Sequence, residues 1–412
     1  MASMTESLWL TEAPTLPPEP RPLEEPCEVA ILGGGIAGVS TALALARAGV
    51  ATVLLEAGHV ASRASGRNDG QMLLGLGEHY NRIVGQFGRE RARILWEYIR
   101  DNNARMKLEI ERSRIRCDLR ASGGLRLAET AHELAELNEA SALLAEEGIE
   151  HRLLDADAAR AELPHSRGFF GALQLPGEAI VQPVTMVRGF ATAARAAGAR
   201  IVEQAEVARY ERSANRISIE LRDGRRLSSD VVVHCTSTLA RTLDPSGFLK
   251  AQVFPFRGQI LATDILPNEL ARGFPHYAMS SNFCYEYFRM HEDRFVVGGM
   301  RWSVPGEQLG ILDDRSFEPR VSERLLDYVA RHFPALAGRS FPHVWTGIMA
   351  GTSDGLPLLG ALPGRPGEFA LLGFNGYGLS FAFLAGHSLA EQIVDGRAKH
   401  EAAAMFAPRR FA

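Results

Sequence analysis

The chain has 412 residues, a formal net charge of −4, and 46% hydrophobic against 23% charged residues. That length exceeds one simple core and points to two domains of a globular protein. Mixed charge excludes a basic stripe for nucleic acid or an anionic membrane, and the apolar stretches are too broken by glycine and arginine to span a bilayer. The cysteines Cys27, Cys117, Cys235 and Cys284 form no C-x-x-C pair, so zinc and dithiol chemistry are not indicated and buried thiols are expected. With no basic segment leading into an apolar leader, a cytoplasmic location is expected.

Residues 1–26 hold six prolines and read as an extended Pro-rich arm, anchored by Trp9. Cys27 to Glu56 then reads as strand, glycine turn, helix and strand. Gly33, Gly35 and Gly38 give G-x-G-x-x-G after the apolar run Val29 to Leu32. Ile36 and Ala37 open an Ala- and Leu-rich helix that Gly49 stops. Gly33 permits the tight turn, Gly35 the approach of a pyrophosphate, and Gly38 close packing of helix on sheet, with the helix N-terminus facing the phosphates. Glu56 ends the second strand 18 residues after Gly38, where a carboxylate accepts ribose hydroxyls and repels a 2′-phosphate. Strand, turn, helix, strand and acid in order make a dinucleotide site, with Ala57 just beyond it.

Ala61 to Met72 follows (A-S-R-A-S-G-R-N-D-G-Q-M), a loop of small residues with two arginines. Directly after the ribose strand, it reads as a backbone-rich cradle crossing the cofactor, supplying N–H groups, hydroxyls and guanidinium. Glu78 to Arg114 is helical in pattern, Gly123 to Ala128 a strand, Ala131 to Glu147 a helix, and Leu163 to Gly177 turn-rich. Pro183 opens a helix that Gly198 closes, and Arg200 to Glu203 is a strand. Glu206 to Ile219 reads as strand–turn–strand, and the strand Val231 to His234 leads into Thr236. From Phe254 the pattern alternates: Cys284 to Met290 and Arg294 to Met300 read as neighbouring antiparallel strands, and Arg315 to Phe333 as a helix. Phe369 to Leu372 is a strand before a second glycine turn, G-F-N-G-Y-G-L-S, and a helix from Phe381 to about Val394. This second helix N-terminus can stabilise negative charge on an electron-accepting ring.

Strand alternation puts Tyr285, Tyr287 and Arg289 on one face. Tyr285, Tyr287, Arg289, Arg301 and Tyr377 are candidate substrate-pocket residues, with Tyr287, Arg289, Arg301 and Tyr377 as the catalytic candidates, while His79 and His291 read as solvated or structural rather than catalytic.

Together these motifs resemble the D-amino-acid oxidase superfamily of FAD-dependent amine oxidoreductases, on the side of γ-glutamylputrescine oxidoreductases and sarcosine and glycine oxidases. They are the arm with S-L-W, G-G-G-I-A-G, A-S-G-R-N-D-G-Q, V-Q-P-V-T-M, F-R-G-Q, W-T-G-I-M-A-G-T-S-D-G-L-P-L-L-G and G-F-N-G-Y-G-L-S. The resemblance implies an α/β fold: a Rossmann-type FAD-binding domain (27–76, 150–239 and 336–400) after the arm, with an α+β substrate domain on a large antiparallel sheet (77–149 and 240–335). It implies that Ala64, Ser65, Gly66, Arg67, Asn68, Gly70, Gln71 and Met72 track the flavin, that Val207 meets the adenine side, and that Thr236 lines the cofactor. Asn375, Gly376, Tyr377, Gly378, Leu379 and Ser380 would face the ring.

Gly347 stands where sarcosine oxidases carry the cysteine bonded to flavin, so non-covalent FAD is expected. Ser380 stands where they place a carboxylate-pairing lysine, and the stretch around Val296 lacks their oxygen-activating lysine. Asp69 replaces a usual glycine and adds a carboxylate near the ring, suited to an amine. The implied reaction is hydride transfer from a small-molecule amine or amino-acid-like substrate to flavin N5, giving an imine, with O2 as acceptor. The rivals are a dehydrogenase serving a quinone or carrier, and a flavin-binding protein without turnover. No metal, nucleic acid or membrane partner is expected, and the sequence fixes no oligomeric state.

Overall fold

Among the described residues, two eight-stranded sheets organise the chain, together with a two-stranded ribbon. The computed structural model describes residues 6–23, 25–213 and 216–412; residues 1–5 and 24 of the arm, and residues 214–215 within the stretch read as strand–turn–strand, lie outside the described residues.

The first sheet runs Leu358–Ala361, Glu368–Leu372, Arg226–His234, Cys27–Leu32, Thr52–Leu55, Arg200–Val202, with Val207–Arg212 and Ile217–Leu221 added as an antiparallel flap. Its central pairs are parallel: Cys27–Leu32 lies between Thr52–Leu55 and Arg226–His234, and Glu368–Leu372 continues the parallel set. Thr52–Leu55 is buried throughout and Cys27–Leu32 at all but Glu28, as expected of strands covered on both faces.

The helices Ile36–Arg47 and Gly378–Asp395, one after each glycine turn, cross in direct contact. A Cβ built on Gly386 would lie 2.7 Å from the Ser40 Cβ and from the Thr41 backbone nitrogen. The two turns therefore open from helices packed against each other, which fixes the spacing of their N-termini.

The second sheet runs His343–Thr352, Val253–Ala262, Arg294–Gly298, Glu286–His291, Ala278–Ser281, Gly124–Ala128, Gly171–Leu175, Arg152–Asp155. All its pairings are antiparallel except Ala278–Ser281 with Gly124–Ala128. A phenylalanine-rich core (Phe274, Phe288, Phe295, Phe333) packs with the helix Pro319–His332.

Three features differ from the sequence expectations. Gly171–Leu175, within the stretch read as turns, is a buried strand of the second sheet. It lies, with Arg152–Asp155, inside 150–239, and His343–Thr352 lies inside 336–400; all three hydrogen-bond into the large sheet rather than the nucleotide-binding one. Short apolar runs carry no mark of which sheet receives them. The arm is not extended throughout: Leu8–Glu12 forms one helical turn capped by Ser7, because the prolines begin only at Pro14. The helical stretch after Glu78 is two helices, Tyr80–Phe87 and Arg89–Arg112, broken at Gly88 with φ 78°.

Candidate active site

One cavity of about 830 Å³ runs between the two sheets and joins both glycine turns. Its walls at one end are Gly33, Gly35, Ile36, Ala37, Glu56, Ala57, Val207 and Thr236, and at the other Asn375, Gly376, Tyr377, Gly378, Leu379 and Ser380. Ala64, Ser65, Arg67, Asn68, Asp69 and Gln71 line the stretch between, with Gly347 packed against Arg67.

The first turn is built as the motif requires. Gly33 has φ +107°, and a Cβ there would sit 2.6 Å from the Cys235 carbonyl oxygen. Gly38 does not line the cavity; its missing side chain lets the helix close on the Gly33 carbonyl, which a Cβ would approach to 2.0 Å. Ser65 Oγ accepts from the Ile36 N–H at 2.9 Å, tying the cofactor loop to the helix N-terminus. Glu56 ties the first glycine turn to its own loop: its carboxylate accepts from Gly34 N at 2.6 Å and Gly58 N at 2.8 Å. Burial pushes its carboxyl up, and these two N–H groups oppose that shift.

The second turn is a glycine corner with Gly376 at φ +94°. The Asn375 side chain locks it by accepting from Thr352 N at 2.9 Å and donating to the Gly373 carbonyl at 2.9 Å. Ser380 Oγ donates to the Leu73 carbonyl at 2.9 Å.

Besides Gly38, four sequence-predicted residues serve the site from behind. Gly66, Gly70 and Met72 are buried and do not line the cavity, nor does Arg289. Arg289 leaves the substrate group altogether: its guanidinium is fully buried and donates through Nη1 to the carbonyls of Asp69, Gly70 and Val181 at 3.2, 3.2 and 2.7 Å. Alternation did put it on the face of Tyr287, but the cofactor loop lies across that end of the strand. The arginines Arg63 and Arg67, expected to reach phosphate or ring oxygens, both line the cavity, yet Arg63 binds Asp314 at 2.8 Å and Arg67 donates to the carbonyls of Ser62, Asp314 and Thr346.

Tyr285, Tyr287, Arg301 and Tyr377 all reach the cavity. Tyr287 lies across its cross-strand partner Gly298, whose missing Cβ would meet the ring at 2.3 Å. Burial pushes the Tyr287 and Tyr377 hydroxyls well above the ordinary tyrosine range, so both are neutral donors. Arg301 lies 5.0 Å over the Phe256 ring and pairs with Glu307 at 3.6 Å. Asp69 Oδ1 accepts from Gln71 N at 3.2 Å, and burial pushes its carboxyl up to about 6. His79 and His291 stand apart from the cavity; burial holds His79 down to about 3, and His291 bonds Glu12 at 2.7 Å.

Sequence reasoning missed several wall residues: Phe256, Ile260, Met349, Cys235 and Cys284 among them. A signal existed. Phe256, Gly258 and Ile260 alternate along one strand, as do Gly347 and Met349 on its partner, so a period of two from Gly347 would have found Met349.

The walls suit a flavin dinucleotide. The cavity falls within the ~300–1,000 Å³ usual for cofactor sites. Gln71 and Thr236 are among its lining residues, and each carries a buried side-chain oxygen, Oε1 and Oγ1, without a hydrogen-bond partner among the described residues. A family profile described as FAD dependent oxidoreductase (DAO) matches residues 28–392. The chain belongs to that family.

Among relatives of this oxidoreductase, the γ-glutamylputrescine oxidoreductase of Escherichia coli is 30% identical over 89% of this chain and 83% of its own length. Glycine oxidase of Bacillus licheniformis is 26% identical over 90% of this chain and 94% of its own. The L-proline dehydrogenase of P. horikoshii shares the fold, with a TM-score of 0.80 and 21% identity over 94% of this chain and 98% of that one. FAD is the family's cofactor, amines and amino acids are typical substrates, and both oxidases and dehydrogenases occur in it. Among the described residues, no helix is long and apolar enough to cross a membrane and no His/Cys/Asp/Glu group could hold a metal ion.

Proposed function

We propose that the chain oxidises the C–N bond of a small amine, with FAD held non-covalently and O2 as the electron acceptor. One observation carries the reading: the cavity that spans both glycine turns has the Asp69 carboxyl in its wall among the tyrosines Tyr285, Tyr287 and Tyr377. FAD, when bound, supplies the two-electron acceptor. The protein supplies position and proton handling. Asp69, near the middle of the pH range between acid and amine, accepts the ammonium proton at its free carboxylate oxygen and leaves a neutral amine. Tyr287 and Tyr377 are hydroxyl donors that orient the substrate, and Arg301 over Phe256 adds a positive charge for an acidic group at its far end. Ser380 offers no charge to a substrate carboxylate, which favours amines over simple α-amino acids. Gly347 offers no sulfur to the flavin, which supports non-covalent binding.

A dehydrogenase serving a quinone or carrier is the second reading, favoured by the absence of lysine from the strand Arg294–Gly298. Anaerobic mixing of the holoenzyme with polyamines, N-methyl amino acids, cyclic imino acids and D-amino acids tests both. An amine from the panel should bleach the flavin, and admitting air should restore it with peroxide. Restoration only by a quinone dye supports the second reading, and a flavin that no panel member bleaches refutes both. Acid precipitation should release all the flavin; colour left in the pellet refutes non-covalent binding.

A further inference from the structure

We propose that the N-terminal segment Ser7–Trp9 is a brace that positions the cofactor loop 64–70 by holding its carbonyl edge. Seven consecutive carbonyls, Ala64 to Gly70, each accept a side-chain hydrogen bond. Asn68 Nδ2 donates to Ala64 and Ser65, both at 3.0 Å, from within the loop. The other donors come from far away. Ser7 Oγ donates to Gly66 at 2.5 Å and Trp9 Nε1 to Asn68 at 2.7 Å. Trp345 Nε1 donates to Arg67 at 3.1 Å, and Arg289 Nη1 to Asp69 and Gly70.

The segment that carries Ser7 and Trp9 is itself fixed. Trp9 is fully buried, edge-on to His291 at 4.6 Å and to Trp345 at 6.1 Å, and its carbonyl accepts from Gln182 Nε2 at 2.9 Å. Glu12, three residues on, pairs with His291. A helix of five residues has no stability of its own in water, so these contacts are what hold Leu8–Glu12 in place.

Withdrawing carbonyls from a loop matters when its other edge must meet phosphate or an electron-rich ring, since carbonyl oxygens facing such groups repel them. Here Ala64, Ser65, Arg67, Asn68 and Asp69 line the cavity while their carbonyls are tied down behind. Fixing the peptide planes in advance removes an ordering cost from cofactor binding. Ser7 and Trp9 are thus positioning residues, acting on the cofactor through the loop. This rests on FAD occupying the cavity.

The test is FAD titration of the full-length apoprotein, read by flavin fluorescence and by the visible spectrum of the bound flavin. Ser7→Ala/Trp9→Phe removes both donors and keeps the ring; its Kd for FAD should rise about tenfold or more, and the bound flavin spectrum should shift toward that of free FAD. Trp9→Phe alone should raise Kd by a smaller factor, and it carries the test if the double variant does not fold. Glu12→Gln weakens the His291 pair, only one of the contacts that hold the segment, and leaves both donors in place, so it should raise Kd less than the double variant does. The proposal is overturned if the variants bind FAD with parental Kd and spectrum, or if Glu12→Gln raises Kd as much as they do. A parent that binds no FAD overturns the cofactor assignment and the brace with it, whereas parental binding with unchanged variants overturns the brace alone.

Discussion

Asp69 is enclosed by protein except where it faces the cavity, and its carboxyl is pushed up from 3.8 to about 6 mainly by loss of water, with Arg289 opposing the shift. The folded state therefore holds a proton that the unfolded chain gives up, and stability falls as pH rises from about 3.8 to about 6. Asp69→Asn keeps the bond from Gln71 N and removes the charge. Denaturant unfolding of the apoprotein should show no gain for this variant below pH ~4 and a gain of up to about 3 kcal/mol above pH ~6. A gain equal at all pH values would mean that the charge is not responsible. The same residue tests the catalytic reading, because the parent should show a rise in kcat/KM near pH ~6 that the variant lacks. At this scale the sequence was informative where chemistry is local. Asp69 stood out by replacing a glycine inside a motif, and Gly33 and Gly376 by punctuating strand–helix junctions. Arg289 was not legible in the same way: alternation gives the face of a strand, not what lies across it, and the loop that buries this guanidinium is more than two hundred residues away in sequence.

The elements that matter most are the two helices behind the glycine turns. Their crossing has no room for a methyl group at Gly386, where the neighbouring atoms include the Thr41 backbone nitrogen. Gly386→Ala should push the helices apart and destabilise the protein by about 1–3 kcal/mol, measured by urea unfolding. It should also weaken FAD binding, since both helix N-termini move with the crossing. A variant as stable as the parent would show that the helices slide freely. Helix periods and caps made these helices readable, and alternation made the hairpin of Glu286–His291 and Arg294–Gly298 readable. Sheet membership was not. Gly171–Leu175 and His343–Thr352 belong to the large sheet through partners distant in sequence, and no local pattern specifies a partner.

Across the whole molecule, the cavity is a seam: the first sheet gives it the two helix ends, the second gives it Tyr287, Phe256 and Gly347, and the loop 64–70 closes it between them. A ligand filling that seam stabilises the native state alone. FAD at about 100 times its Kd should add about 2.7 kcal/mol and raise the Tm, with riboflavin giving less because it leaves the Gly33 end empty. Equal shifts from riboflavin and FAD would mean that the first glycine turn contributes nothing to binding.

The brace also sets an order of events during synthesis. Ser7 and Trp9 leave the ribosome before residues 64–70, but Arg289 and Trp345 follow the loop by more than two hundred residues. At ~5–20 residues per second that delay is roughly tens of seconds, during which three of the carbonyls remain open to water. Nascent chains stalled before residue 345 should capture FAD poorly, lacking both Trp345 and the second glycine turn, so the cofactor would be taken up only once the chain is nearly complete.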